Sequence, residues 1–279
     1  MADLLSELFK LDNQVVVVTG AGGYLGGYHA EAIAAFGGTP ILIDIEETRT
    51  AARSELLRSQ YNVPAMSIAV DITNEAEVAA AVDQVLEKHG RIDALINNAA
   101  NNPEVTQGLP QSENFTRLEN FPIEAWEADL RVGLTGSFLC AKHFGAKLAL
   151  NHSGGVIINV SSDLGLIAPD QRLYTRPGLA EHQPVKPVSY SVAKTGLLGL
   201  TRYLATYWNE GHVRCNAICL GGVRKGQNQE FLERVAERIP LGRLANPDEY
   251  QGTIVWLLSR GSSYLNGAVI AIDGGRSVW

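Results

Sequence analysis

The chain has 279 residues, of which 46% are hydrophobic and 19% charged, so it can bury a large core and is not a disordered segment. A formal net charge of −7 argues against a nucleic-acid surface. No apolar run is long enough to span a bilayer, and a start carrying Asp3 and Glu7 is not a secretory signal, so no membrane partner is expected.

Cys140, Cys215 and Cys219 form no disulfide framework, and none has a CxxC or CxxH partner. The six histidines are scattered without metal-ligand spacing, so no metal site is expected. The cysteines read as small buried hydrophobes in a reducing, cytoplasmic setting.

Taken in chain order, apolar runs alternate with helical patterns. Strands are predicted at 15–19, 40–44, 65–70, 94–97, 156–161, 213–219 and 268–272. Helices are predicted between and after them at 25–36, 46–60, 75–89, 123–151, 188–209, 229–238 and 247–260. Buried strands that alternate with helices make βαβ units, hence an α/β fold: a seven-stranded parallel sheet with helices on both faces, doubly wound. No linker, low-complexity tract or internal repeat interrupts the pattern, and residues 1–279 are read as a single domain.

Two loops exceed what such a fold needs, 101–121 and 163–187. Both follow carboxyl ends of strands, where open α/β sheets bind ligands. The second is rich in proline and carries Asp170, Gln171, Arg172, Tyr174, Arg176, His182 and Lys186. It reads as a substrate loop for a polar molecule, with Arg172 and Arg176 as candidate contacts, or as a surface for subunit contacts. Plain solvent exposure is the reading for His182.

Chemistry concentrates at three places. After the first strand comes Thr19-Gly20-Ala21-Gly22-Gly23-Tyr24-Leu25-Gly26, a glycine-rich turn opening a helix, suited to a pyrophosphate. The second strand ends at Asp44, which can accept hydrogen bonds from ribose hydroxyls or serve as a helix cap. A carboxylate there would repel a 2′-phosphate, and Ile45 offers no positive charge, so NAD is favoured over NADP. Far downstream, Ser161-Ser162 ends the fifth strand, and Tyr190-Ser191-Val192-Ala193-Lys194 places a phenol and an ammonium one helical turn apart. A nearby positive charge favours phenolate, which would make Tyr190 a general acid/base. Either serine could instead simply cap a strand end.

This combination resembles the short-chain dehydrogenase/reductase family over nearly the whole chain. The resemblance implies a Rossmann fold, NAD as cofactor, and the interconversion of a secondary alcohol and a ketone. It implies Ser162, Tyr190 and Lys194 as catalytic residues, with Lys194 also binding the nicotinamide ribose and lowering the Tyr190 pKa. The cofactor would be held by Gly20, Gly23, Tyr24, Leu25, Asp44, Asp71, Ile72, Asn98, Ala99, Tyr190, Lys194 and the backbone of Val223. Several positions depart from the family pattern. Tyr24 stands at a glycine, Ala100 ends the Asn97-Asn98-Ala99 motif, Leu220 replaces a proline, and Lys225 takes a threonine position. Gly133 takes the position of an asparagine that serves the family's proton relay.

Residues 168–174, with 132–136, are also similar to a family branch that modifies sugars, including bacterial flagellin glycans. The expected substrate is therefore a small, hydroxyl-rich, sugar-like molecule. Family members are often homo-oligomers, tetramers or dimers, which would place Trp279 at an interface. An NAD-binding sensor or scaffold with vestigial chemistry is the alternative, motivated by Tyr24, Gly133 and Leu220.

Overall fold

The computed structural model describes residues 2–101, 115–175 and 183–279. Its strands are β1 (Val15–Thr19), β2 (Thr39–Asp44), β3 (Met66–Ala69), β4 (Ala94–Asn97), β5 (Gly155–Ser162), β6 (Val213–Leu220) and β7 (Val269–Ile272). All pairings are parallel, and the spatial order is β3-β2-β1-β4-β5-β6-β7. The order reverses beside β1, between β1 and β4, which opens a crevice at the strands' carboxyl ends. This is the doubly wound α/β sheet that the alternating pattern predicts.

The helices are α1 (Ala2–Glu7), α2 (Tyr24–Ala35), α3 (Glu47–Tyr61), α4 (Glu75–His89), α5 (Ile123–Leu130), α6 (Ser137–Leu148), α7 (Val188–Tyr207), α8 (Gln229–Ala236) and α9 (Gln251–Leu258). Alternation along β1 shows how both sheet faces are covered. Val15 and Val17 join α4, α6 and α7 side chains, among them Val82, Phe144 and Leu204. Val16 and Val18 join Ile33 of α2, Leu57 of α3 and Ile254 of α9 on the other face. A strand buried on both faces must be apolar throughout, which is why β1 reads Val-Val-Val-Val-Thr.

The long helix predicted over 123–151 is not continuous. A π-helical segment, Arg131–Gly136, separates α5 from α6. The stretches on both sides read as helix, which is why a single helix is predicted over them. Gly136 supplies the physical reason for close packing here: a Cβ on it would lie 2.6 Å from Ile72 Cδ1. The segment predicted at 247–260 starts as a 3₁₀ turn, Pro247–Tyr250, before α9. Helix α1 is not among the elements that the apolar pattern predicts.

Loop residues 102–114 and 176–182, including Arg176 and His182, lie outside the described residues. The remainder of the second loop holds two 3₁₀ turns, Asp163–Gly165 and Gln171–Tyr174. Cys140, Cys215 and Cys219 are buried free thiols. Among the described residues, no helix is long and apolar enough to cross a membrane, and no group of His, Cys, Asp and Glu could hold a metal.

Candidate active site

One cleft of about 750 Å³ runs along the carboxyl ends of the strands. It is lined by Gly20, Gly23, Tyr24, Leu25, Asp44, Asp71, Ile72, Asn98, Ala99, Ser162, Tyr190, Lys194 and Val223, the residues expected to bind cofactor or act in catalysis.

At the β1–β2 end the wall is mostly main chain. Gly20 has φ +64°, a conformation that glycine adopts without steric cost. A Cβ on Gly26 would sit 2.3 Å from Gly20 O, so only glycine lets α2 start this close to the turn. Gly23 precedes α2 without any side-chain cap, so the helix start keeps donors and a partial positive charge for an anion.

Two side chains brace this turn from outside. Arg53 of α3 donates from Nη1 to Ala21 O at 2.7 Å and Gly23 O at 3.0 Å. Asn98 donates from Nδ2 to Thr19 O at 2.9 Å, while Thr19 Oγ1 accepts the N–H groups of Asn98 and Ala99. Asn98 thus lines the cleft but commits its amide donors to the turn. No local sequence signal marks Arg53, because its partners lie about 30 residues away.

Asp44 Oδ2 accepts the Gly22 N–H at 2.9 Å, and Oδ1 accepts the Glu46 N–H at 3.1 Å. Glu46, not Asp44, is the cap residue of α3. Each carboxylate oxygen keeps acceptor capacity for a hydroxyl. An uncapped helix start beside an acceptor-only side chain fits the pyrophosphate and ribose of a dinucleotide. Asp71 is tied locally, its N–H donating to Glu77 and its Oδ1 accepting from Thr73.

Tyr24 resolves one departure from the family pattern. Its ring packs edge-on against Tyr28, and its hydroxyl donates to Arg224 O at 3.1 Å, in the loop after β6. The side chain therefore leaves the turn and bridges to the opposite rim. Val223, on that rim, forms a bridge with Ala245, and its carbonyl accepts from Gln227 Nε2.

At the β5–α7 end the wall is made of buried polar side chains. Ser161 Oγ donates to Lys194 O at 2.7 Å and so pins α7 to β5. Ser162 Oγ instead donates to Asp163 Oδ1 at 2.8 Å and opposes the rise of the Tyr190 pKa through a hydrogen bond. The two adjacent serines thus do different things, and Ser162 is the one beside the phenol.

The charge pattern around Tyr190 corrects the sequence reading. Burial pushes the phenol above its ordinary value; the Ser162 hydrogen bond opposes this and the Asp163 charge adds to it. Lys194 directs its Nζ to Val160 O at 2.8 Å, 5.8 Å from the Tyr190 ring centroid. It does not lower the Tyr190 pKa in this arrangement. Its own pKa falls to about 8, because burial penalises the charge and Lys186 repels it. The closer ammonium is Lys186, 3.9 Å from the ring centroid, whose pKa burial likewise lowers to about 8.

Asp163 is buried and ion-paired to Arg276, 2.8 Å away, so the residue after Ser162 is held by the chain's last turn. Gly133 lies in the π-helical segment and is buried, with its carbonyl accepting from Ser137 Oγ at 3.1 Å. Behind the site, Asn97 Nδ2 donates to Asn159 Oδ1 and Asn159 Nδ2 to Thr201 Oγ1, a polar seam tying β4, β5 and α7.

Arg172 is not a cleft residue. Its side chain is 81% exposed and pairs with Asp170, which also holds Arg238. Among the described residues of the loop, the polar ones that line the cleft are Asp163, Tyr174 and Lys186. Trp279 is exposed and donates from Nε1 to Arg238 O at 3.2 Å.

A doubly wound sheet whose carboxyl-end cleft holds a glycine-rich turn at one end and Ser162, Tyr190 and Lys194 at the other has the layout of an open α/β oxidoreductase. The short chain dehydrogenase family matches residues 14–175, and the enoyl-(acyl carrier protein) reductase family matches residues 178–277. The chain belongs to the short chain dehydrogenase family.

It is 30% identical over 275 residues to trans-4-hydroxycyclohexanecarboxylate dehydrogenase of Sinomonas cyclohexanicum, covering 96% of this chain and 94% of that one. It is also 30% identical to D-threitol dehydrogenase of Mycolicibacterium smegmatis, covering 97% and 95%. The crystal structure of an NADPH-dependent 3-quinuclidinone reductase from Rhodotorula rubra superposes with a TM-score of 0.81 at 25% identity, covering 98% and 94%.

Proposed function

We propose that the protein is an NAD-dependent dehydrogenase that interconverts a secondary alcohol and a ketone on a small, polar, hydroxyl-bearing substrate. The observation that carries this reading is that Ser162, Tyr190 and Lys194 open onto the same cleft as Asp44. The named relatives act on a hydroxycyclohexanecarboxylate and on threitol, both polar alcohols. The preference for NAD rests on Asp44, whose fixed carboxylate would accept from ribose hydroxyls and repel a 2′-phosphate. Asp71, Ile72 and Ala99 would flank the adenosine, and Lys194 the ribose next to the nicotinamide.

Nicotinamide, when bound, supplies the hydride acceptor or donor. The chain's residues handle the oxygen and its proton. The Ser162 proton points to Asp163 here; turned to the substrate oxygen it would hold that oxygen and stabilise charge on it, leaving the substrate's own proton for Tyr190. Tyr190 Oη takes the hydroxyl proton on oxidation and returns it on reduction. Burial disfavours phenolate, and the Ser162 hydrogen bond is the contact that opposes this.

Formation of reduced cofactor is the test. Purified protein is assayed with NAD and with NADP against threitol, other polyols, sugars and both hydroxycyclohexanecarboxylates. Turnover with NAD on one of these classes is expected. A preference for NADP would overturn the role of Asp44, and turnover confined to apolar alcohols would overturn the polar substrate.

A further inference from the structure

Tyr24 stands where the family pattern has glycine, and it reaches from one rim of the cleft to the other. In the sheet β1 and β6 are separated by β4 and β5, so the segments that follow them start about 14 Å apart. The Tyr24 hydroxyl nevertheless donates to Arg224 O at 3.1 Å, joining the first turn of α2 to the loop after β6. Its ring is placed from both sides, edge-on against Tyr28 with centroids 5.6 Å apart, and 5.7 Å from Lys225 Nζ.

Both ends of this bridge rest on well-held backbone. The glycine turn is braced by Arg53 and Asn98. On the other rim, the Arg224 N–H donates to Ala245 O at 2.9 Å, the Ala245 N–H donates to Gly222 O at 3.1 Å, and Tyr250 Oη donates to Gly221 O at 2.9 Å. Either rim would have to give up several hydrogen bonds to move. The Tyr24 side chain is half-buried and its bond to Arg224 lies at the surface, where side chains change rotamer far faster than packed backbone rearranges.

We propose that Tyr24 is a bar across the cofactor end of the cleft, which swings off Arg224 O each time a dinucleotide enters or leaves. The inference rests on the cofactor reading above and concerns exchange rather than chemistry. The glycine turn and Asp44 set how tightly the dinucleotide is held. A bar that closes equally well over an empty and a filled cleft has no preference between them, so it slows entry and release by the same factor and leaves affinity unchanged. A neutral hydrogen bond sets that factor at about fivefold.

Stopped-flow fluorescence of NADH binding to the purified protein gives the association and dissociation rate constants, and an equilibrium titration gives Kd independently. Tyr24→Phe removes the hydroxyl alone and should raise both rate constants by about fivefold, with Kd within about twofold of the unaltered protein. Tyr24→Ala removes the bar itself and should raise both at least as far. Unchanged rate constants in the two variants overturn the proposal. So does faster dissociation with an unchanged association rate and a correspondingly weaker Kd, which would make Tyr24 an ordinary contact to the dinucleotide. Failure of the unaltered protein to bind either NADH or NADPH would sink the dinucleotide reading and the bar with it, whereas binding with unaltered rates in both variants sinks the bar alone.

Discussion

At the β1–β2 end of the cleft, the groups facing the cavity are mostly main-chain amides and the carboxylates of Asp44 and Asp71, which accept from nearby backbone N–H groups. At the β5–α7 end they are charged side chains brought together from the fifth strand, the second loop, α7 and the chain's last turn. The first arrangement recognises by shape and needs few particular side chains. The second depends on how much burial costs each charge, as the shifted pKa values of Lys186, Tyr190 and Lys194 show. Substitutions should therefore separate cleanly: those at the first end change cofactor affinity, and those at the second change the chemical step.

The largest effect expected is that of Tyr190→Phe. Removing the ionisable oxygen should lower kcat by about 10³-fold, within the range for general acid–base groups. Cofactor affinity, measured by fluorescence titration, should stay within about threefold, since most of the proposed nucleotide contacts lie at the other end and Lys194 is unchanged. Near-normal kcat would remove Tyr190 from the mechanism, and a large loss of cofactor affinity would blur the division between the two ends.

Next is the double change Asp44→Ala with Ile45→Arg. It removes a fixed negative charge, frees the Gly22 and Glu46 N–H groups, and adds a phosphate partner. The ratio of kcat/KM for NADP over NAD should rise by about 100-fold. An unchanged ratio would show that Asp44 does not face the ribose.

Arg53→Met asks whether the turn is braced or self-supporting. It leaves Ala21 O and Gly23 O without their donor. The guanidinium is partly exposed, so the loss should be about 1 kcal/mol of stability and about fivefold in cofactor affinity, with kcat at saturation nearly unchanged. Equal stability by urea unfolding would make Arg53 dispensable.

The smallest effect is one of pH. Lys194 has a folded-state pKa of about 8 against an ordinary 10.5. Between those values the unfolded chain binds more protons, so this group makes the fold more stable as pH rises through that window. Tyr190, pushed above its ordinary value, works in the opposite direction at still higher pH. In Lys194→Met, the gain in unfolding midpoint from pH 8 toward 10 should be smaller than in the unaltered protein. An identical pH profile would show that the buried ammonium carries no such penalty.

The first end was legible in the sequence because its logic is local. A glycine turn directly follows a valine strand, and Asp44 closes the next one. Tyr190 and Lys194 were legible for the same reason, being one helical turn apart. What stayed hidden depended on distance or on backbone detail. Arg276 meets Asp163 across 113 residues, and nothing near either residue signals the pair. Lys186 was visible only as one of several polar loop residues. Arg172 looked equally suitable, but its pairing with Asp170 turns it to solvent. The π-helical segment at Arg131–Gly136 lies between two stretches that both read as helix, so the sequence pattern joins them into one.

The ion pair between Asp163 and Arg276 has a consequence for how the chain is made. The nucleotide-facing turn, its Arg53 brace and Asp44 are all complete within the first fifth of the sequence, whereas Asp163 receives its countercharge only when the fourth residue from the end of this chain has been added. A nascent or proteolytically shortened chain ending at Gly275 would carry an intact cofactor cradle beside a buried carboxylate with no cation to hold it. Removing Arg276 would thus disturb Asp163, and through it the Ser162 hydroxyl, while leaving the glycine turn at Gly20–Gly26 with its Arg53 brace in place.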